Sequence, residues 1–172
     1  MPINNGSQIY KAFRNLLRED KSKNTFLVDE ALQEVLVLMK NNLKEIDIQY
    51  TPLHVSSVVG YKNELIQVFI ILLSNAIDAL NENKVSDKMI TIHIVDREQY
   101  IHINIEDNAD GVDKNIIAKI FDPYFTTKQK SSGSGLGLYI AKIIIEQNMQ
   151  GKLSVHKETT GAKFDIKIKK KL

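Results

Sequence analysis

Two runs of alternating isoleucine constrain this chain more than any other feature. Ile90, Ile92 and Ile94 are interleaved with Thr91, His93 and Val95, and after a polar turn at 96–99 the alternation returns in Ile101, Ile103 and Ile105. Successive side chains of a strand point to opposite faces, so this period of two predicts a β-hairpin with all six isoleucines on one side. With a four-residue turn, His93 faces His102 on the solvated side. Two exposed histidines without a carboxylate nearby read as a sheet surface, not as a metal site.

The rest of the chain supplies a cover for that apolar face. A short strand at Thr25–Val28 leads to Asp29, placed as a helix N-cap before the apolar face Ala31, Leu32, Val35, Leu36, Leu38 and Met39. Ile46, Ile48 and Tyr50 alternate as a strand that Pro52 stops, and His54–Val59 follows as another. Tyr61–Asn81 is the most apolar helix, with a core stripe of Leu65, Val68, Phe69, Leu72, Ala76, Ala79 and Leu80. A second stripe, Gln67, Ile71, Asn75 and Asp78, lies on another side. Because this helix is apolar beyond one face, Asn75 is expected to be a buried amide in need of a partner.

A third helix is expected over Leu138–Met149, with Gly151 as its C-terminal cap glycine. Leu153 and Val155 then pair with Phe164, Ile166 and Ile168 around a turn at Thr159–Gly161. Helices in blocks with an antiparallel sheet predict an α+β fold, with the helices on one sheet face. Ile9, Phe13, Leu16 and Leu17 have helical spacing ahead of a polar break at 19–24, so residues 1–20 are read as an appended helical segment and 21–172 as the main domain.

Composition excludes more than it suggests. The 172 residues suit one domain with a short appendage. A near balance of 23 basic and 21 acidic residues argues for no nucleic-acid or acidic partner. The absence of cysteine removes disulfides, thiolate metal sites and cysteine nucleophiles together. Val68–Leu73, the longest apolar run, is too short to span a bilayer, and the first residues lack a signal-peptide pattern. A cytoplasmic segment without membrane contact of its own is expected, whether or not its parent protein is membrane-anchored.

Between the hairpin and the third helix lies a stretch with a different character. Asp107 ends a strand beside the turn Asn108–Gly111, where a carboxylate can accept from an amino group and small residues admit a flat ring. Residues 112–120 are expected to form a short helix capped by Asp113. Phe121, Tyr124 and Phe125 then fall within five residues, followed by Thr126, Thr127, Lys128 and a polar, glycine-rich loop: an aromatic cover with hydroxyls and a cation for a phosphate tail. Gly133, Ser134, Gly135, Leu136, Gly137 and Leu138 open the next helix, where converging backbone N–H groups favour anions. The spacing is neither the dinucleotide fingerprint nor a P-loop.

Asn75 on its apolar helix, DNADGV, FDPYFTTK and GSGLGL occur in the order and spacing of one family. From about residue 20 onward the chain resembles the ATP-binding catalytic domain of sensor histidine kinases. The resemblance implies a Bergerat-type two-layer α/β sandwich, shared with gyrase, chaperone and mismatch-repair ATPases, and ATP and Mg²⁺ as cofactors. It implies Asn75 as the Mg²⁺ ligand and, with Lys128, a catalytic group. Asp107 would take the adenine amino group, with Asp78, Ala109, Gly111 and Val112 also binding the nucleotide. Ile120, Phe121, Thr126 and Thr127 would belong to the lid side, and Gly133, Ser134, Gly135, Leu136, Gly137 and Leu138 to the phosphate loop.

The sequence departs from the family pattern at Ala109, where a glycine is usual, and at Ile71, where Asn is common and the hydrolytic relatives carry Glu. Isoleucine neither ligates a metal nor takes a proton, which disfavours hydrolysis as the main activity. None of His54, His93, His102 and His156 precedes an acidic residue, so the phosphoacceptor histidine is expected on a separate dimerisation domain, in the parent chain or in trans. A response regulator would follow indirectly. The alternative is a nucleotide-binding module without transferase activity.

Overall fold

The computed structural model describes residues 22–52, 57–127 and 133–170. The expected N-terminal helix, His54 and Lys128 lie outside them. The isoleucine runs form the expected hairpin, β4 (Met89–Asp96) and β5 (Tyr100–Asp107), with all six isoleucines buried on one face. Its turn is tighter than four residues, because the Arg97 N–H donates to the Tyr100 carbonyl at 2.9 Å and leaves Glu98 and Gln99 as the loop. The pairing therefore moves by two: His93 faces Asn104 and His102 faces Val95. The histidines are diagonal neighbours, not an opposed pair.

β5 pairs on its other side with β7 (Ala162–Lys169), and β7 with β6 (Lys152–Lys157), all antiparallel. At the opposite edge β2 (Asp47–Tyr50) joins β4 in parallel, giving the order β2-β4-β5-β7-β6. A separate two-stranded sheet pairs β1 (Asn24–Leu27) with β3 (Ser57–Gly60). The architecture is thus α+β, with a mostly antiparallel sheet.

Helices α1 (Val28–Leu38), α2 (Lys40–Leu43), α3 (Lys62–Glu82) and α4 (Gly137–Ile143) cover the isoleucine face. α3 is central, packing on α1, α4 and β5 with Leu65, Val68, Phe69, Leu72, Leu73 and Leu80 buried. At 21 residues and largely apolar it has the length and composition of a membrane span, yet its apolar stripe is the core of this fold.

Four local expectations give way to tertiary contacts. α1 begins one residue before Asp29, so Asp29 sits in its first turn, 2% exposed, and accepts a hydrogen bond from the Tyr50 hydroxyl of β2. Residues 114–120 form consecutive turns and not a helix. Asp113 draws the Asn115 N–H to its carboxylate at 2.8 Å and those of Ile116 and Ile117 to its carbonyl, and such local bonds compete with helix propagation. α4 widens after Ile143 into a π-helical turn, Ile144–Asn148. The left-handed residue after it is Gln150 (φ 51°); Gly151 is needed because a Cβ there would lie 2.3 Å from the Lys167 carbonyl oxygen of β7.

Candidate functional site

A cleft of about 720 Å³ opens where the second stripe of α3 faces the end of β5, the turns at 111–127 and the glycine loop at 133–138. Its apolar lining includes Ile70, Ile77, Val112, Ile120 and Phe164, which suits a flat ring, and its polar groups converge from different elements.

Asp107 is the most constrained of these. Only 4% exposed, it stands where β5 leaves the sheet, and its Oδ1 accepts from the Ala109 N–H at 3.0 Å and the Ala162 N–H at 3.3 Å. Burial pushes its carboxyl pKa up, the two N–H bonds pull against that, and neighbouring Glu106 adds to the rise. Backbone fills the space around it. A Cβ on Gly161 would lie 1.7 Å from the Asp107 carbonyl oxygen, and one on Gly111 (φ +75°) would lie 2.6 Å from the Gly161 oxygen. Three backbones therefore stack at this corner with no room for side chains between them.

The second glycine cluster works in the same way against a different neighbour. Gly135 has φ +67°, and its Cβ position is 2.5 Å from the Tyr124 carbonyl carbon and 2.8 Å from the Phe125 oxygen. The FDPYF segment thus lies directly on the glycine loop, with Tyr124 itself left-handed at φ 65°. Gly137, which starts α4, faces Ile71, whose Cγ2 is 3.3 Å from the Cβ position.

Thirteen of the expected residues border the cleft: Asn75, Asp78, Asp107, Gly111, Val112, Ile120, Thr126, Thr127, Gly133, Ser134, Gly135, Gly137 and Leu138. Asn75 is half-buried and open to the cleft, not enclosed, so the fold does not require a protein partner for its amide. Ala109, Phe121 and Leu136 do not border it. Ala109 is buried behind Asp107 and serves it with its N–H. Phe121 packs beneath Lys142, whose Nζ is 4.9 Å from the ring centroid. Leu136 turns away, its N–H held by the Ser134 hydroxyl at 3.3 Å and its carbonyl by the Ile140 N–H at 2.9 Å.

Sequence reasoning missed Met39 and Asn42 from the α1–α2 region, Ser74 and Glu82 on α3, Asn83 just beyond its end, and Ala162 and Phe164 on β7. Glu82 had a readable signal, one turn beyond Asp78 on the second stripe. The α1–α2 residues had none, since only tertiary packing brings them here. Among the described residues no three His, Cys, Asp or Glu side chains gather as a metal cage. A cation here suits the Mg²⁺ pattern of one protein oxygen, the Asn75 amide, completed by phosphates and water.

The model of the histidine kinase-, DNA gyrase B- and HSP90-like ATPases matches residues 60–172, about two thirds of the chain. The chain belongs to that family. The chain is 34% identical over 114 residues to the two-component sensor PprA of Pseudomonas aeruginosa, and 37% identical over 114 residues to sporulation kinase A of Bacillus subtilis. These alignments cover 64% and 65% of the chain but only 12% and 18% of those relatives, so it spans a small part of their length. Its structure superposes on the nucleotide-free catalytic domain of histidine kinase ThkA with a TM-score of 0.77 at 29% identity, covering 87% of this chain and 96% of that one. It is a catalytic ATP-binding domain of the sensor histidine kinase kind.

Proposed function

We propose that the domain binds Mg²⁺·ATP and delivers the γ-phosphoryl group to a histidine on a separate dimerisation domain, from which a response regulator is then phosphorylated. The observation that carries this reading is the Asp107 carboxylate, fixed by two backbone N–H groups at one end of a cleft whose other end is a glycine loop. Asp107 accepts from the adenine amino group while Val112, Ile120 and Phe164 enclose the ring. The backbone of Gly133–Gly137 orients the phosphate tail, and the Asn75 amide oxygen is the side chain placed to hold Mg²⁺. The metal supplies charge neutralisation on the phosphates. Positioning and charge stabilisation are most of what phosphoryl transfer needs. In this reading the domain works in the cytoplasm.

Supplying ATP, Mg²⁺ and a separately made dimerisation domain carrying its own histidine tests the proposal. Acid-labile, base-stable phosphohistidine is expected on the acceptor, and its absence at saturating nucleotide would overturn transfer. A second reading, a nucleotide-binding module without transferase activity, is favoured by one observation: Ile71 lines the cleft one turn from Asn75 and adds neither ligand nor base. Tight nucleotide binding with no phosphohistidine would establish it.

A further inference from the structure

The face of the sheet turned away from the helices carries a cluster of cations that the overall charge conceals. Lys167 of β7 stands directly opposite Lys152 of β6 on one side and His102 of β5 on the other. The next residue on the same face, Lys169, faces Tyr100, whose partner across the hairpin is Arg97. Strands lie about 4.8 Å apart and same-face residues repeat about every 6.8 Å, so the four cations occupy a patch on the order of 15 Å across.

Three other cations on or beside these strands are paired: Lys163 with Glu158 at 3.8 Å, Lys170 with Asp96 at 2.5 Å, and His156 with Asp165 at 3.0 Å. Among the described residues, Lys152, Lys167, Lys169 and Arg97 have no carboxylate within 4.0 Å. The nearest acids in chain order are Asp96 and Glu98, which flank Arg97, and Asp165, two residues before Lys167; of these Asp96 pairs with Lys170 and Asp165 with His156. Like charges directly opposed on neighbouring strands are destabilising, and here Lys152 faces Lys167. Lys167 is further held in place, its Nζ 3.9 Å from the Tyr100 ring centroid. Oriented, unneutralised cations on a rigid sheet are a complementary surface for carboxylates.

We infer that this patch docks an acidic segment of a partner protein. It is separate from the nucleotide cleft: none of its residues line the cleft, and Tyr100 and Asp107 stand at opposite ends of β5, roughly 24 Å apart. A lipid surface fits less well. The exposed large apolar side chains, Val37, Leu38, Val59, Tyr124 and Tyr139, include none on this face of the five-stranded sheet, and Glu106 and Asp165 share the face beside the patch. A compact acidic segment can meet the cations without pressing on those acids.

The test uses a fluorescent deca-glutamate peptide as the probe and the full chain as receptor. Saturable binding is expected, weakened by salt, with backbone amide shifts at 97–102, 152 and 167–169. Lys167→Glu with Lys169→Glu should weaken it about tenfold while nucleotide affinity stays unchanged, and Lys40→Glu with Lys44→Glu, on α2 and just after it, should leave it intact. No binding, shifts confined to other elements, equal loss in both double variants, or lysine-dependent binding to phosphatidylserine vesicles without peptide binding would each overturn the proposal. Should the reversal variant fold poorly, the shift map of the unaltered chain decides alone.

Discussion

Gly161→Ala is the substitution that probes the corner on which the site depends. The new Cβ would stand 1.7 Å from the Asp107 carbonyl oxygen, 2.6 Å from its carbonyl carbon and 3.0 Å from Oδ1, where an ordinary contact is at least 3.4 Å. No side-chain rotation relieves this, since the first two atoms are backbone. Either the turn closed by the Glu158 N–H and the Gly161 carbonyl moves, or the end of β5 does. Overpacking of this kind costs about 1–3 kcal/mol, and a backbone clash belongs at the upper end. Loss of glycine's unfolded-state entropy returns only about 0.4–1 kcal/mol. A net loss of about 2 kcal/mol corresponds to a fall in Tm of roughly 4–8 °C for a domain of this size. Because the Ala162 N–H to Asp107 bond spans the same junction, nucleotide affinity should fall as well. Gly60→Ala is the matched control: its Cβ meets the flexible end of Met149 at 3.2 Å, so the side chain gives way and little changes. Thermal unfolding and titration calorimetry read both quantities. Equal melting points and affinities for the two variants would refute the argument.

The remaining predictions concern charge and the metal side. Burial raises the Asp107 pKa, so the protonated carboxyl favours the empty fold: that contribution is fully present below the unfolded-state value and lost as pH rises through the folded one. In the proposed reading adenine needs the carboxylate, so affinity should weaken as pH falls through that raised value, and calorimetry showing a profile that stays flat until the fold itself is lost to acid would refute it. Tyr50→Phe removes the hydroxyl that donates to buried Asp29 and should cost about 1–3 kcal/mol in urea unfolding. The Tyr50 pKa is raised, first by burial and then by Asp29, so that link holds below the unfolded value and is lost in strong alkali; the variant should lack this alkaline loss. Ile71→Asn places a second amide one turn from Asn75 on the cleft, and the Mg²⁺ dependence of nucleotide affinity should increase; an unchanged dependence would show that Ile71 does not set the metal side.

What could be read from the chain, and what could not, divides along a physical line. The isoleucine hairpin was legible because a period of two with one apolar face has a single good solution. Its register was not, because the bond between Arg97 and Tyr100 shortens the loop, and polar turn residues carry no mark of where pairing stops. Asp107 and the glycine clusters were legible as types suited to strand ends and close approach. Asn75 was placed on the right helix but in the wrong environment: its apolar neighbours imply enclosure, while the cleft that opens beside it is made by segments distant in the chain. Ala109 and Phe121 fell just behind the lining for the same reason, and nothing local could have drawn Met39 and Asn42 into it.

The glycines of this domain therefore separate into two structural roles. Gly111 and Gly161 let three backbone segments stack around Asp107, so they determine where its carboxylate stands. Gly135 lets the backbone of Tyr124 and Phe125 rest on the glycine loop, so it joins the aromatic segment to that loop without an intervening side chain. The first corner is buried and tied into the sheet; the second is formed by turns, with Tyr124 75% exposed. Local stability follows buried contacts, so the Asp107 corner is the rigid reference of the cleft and the cover with its glycine loop is the part free to adjust. Ile71 and Asn75 on α3 lie between the two, facing the glycine loop from a helix that is itself core. A change at Gly161 is accordingly expected to perturb fold and site together, whereas a change at Ile71, only partly buried at the edge of the core, is expected to act more on the cleft than on the fold.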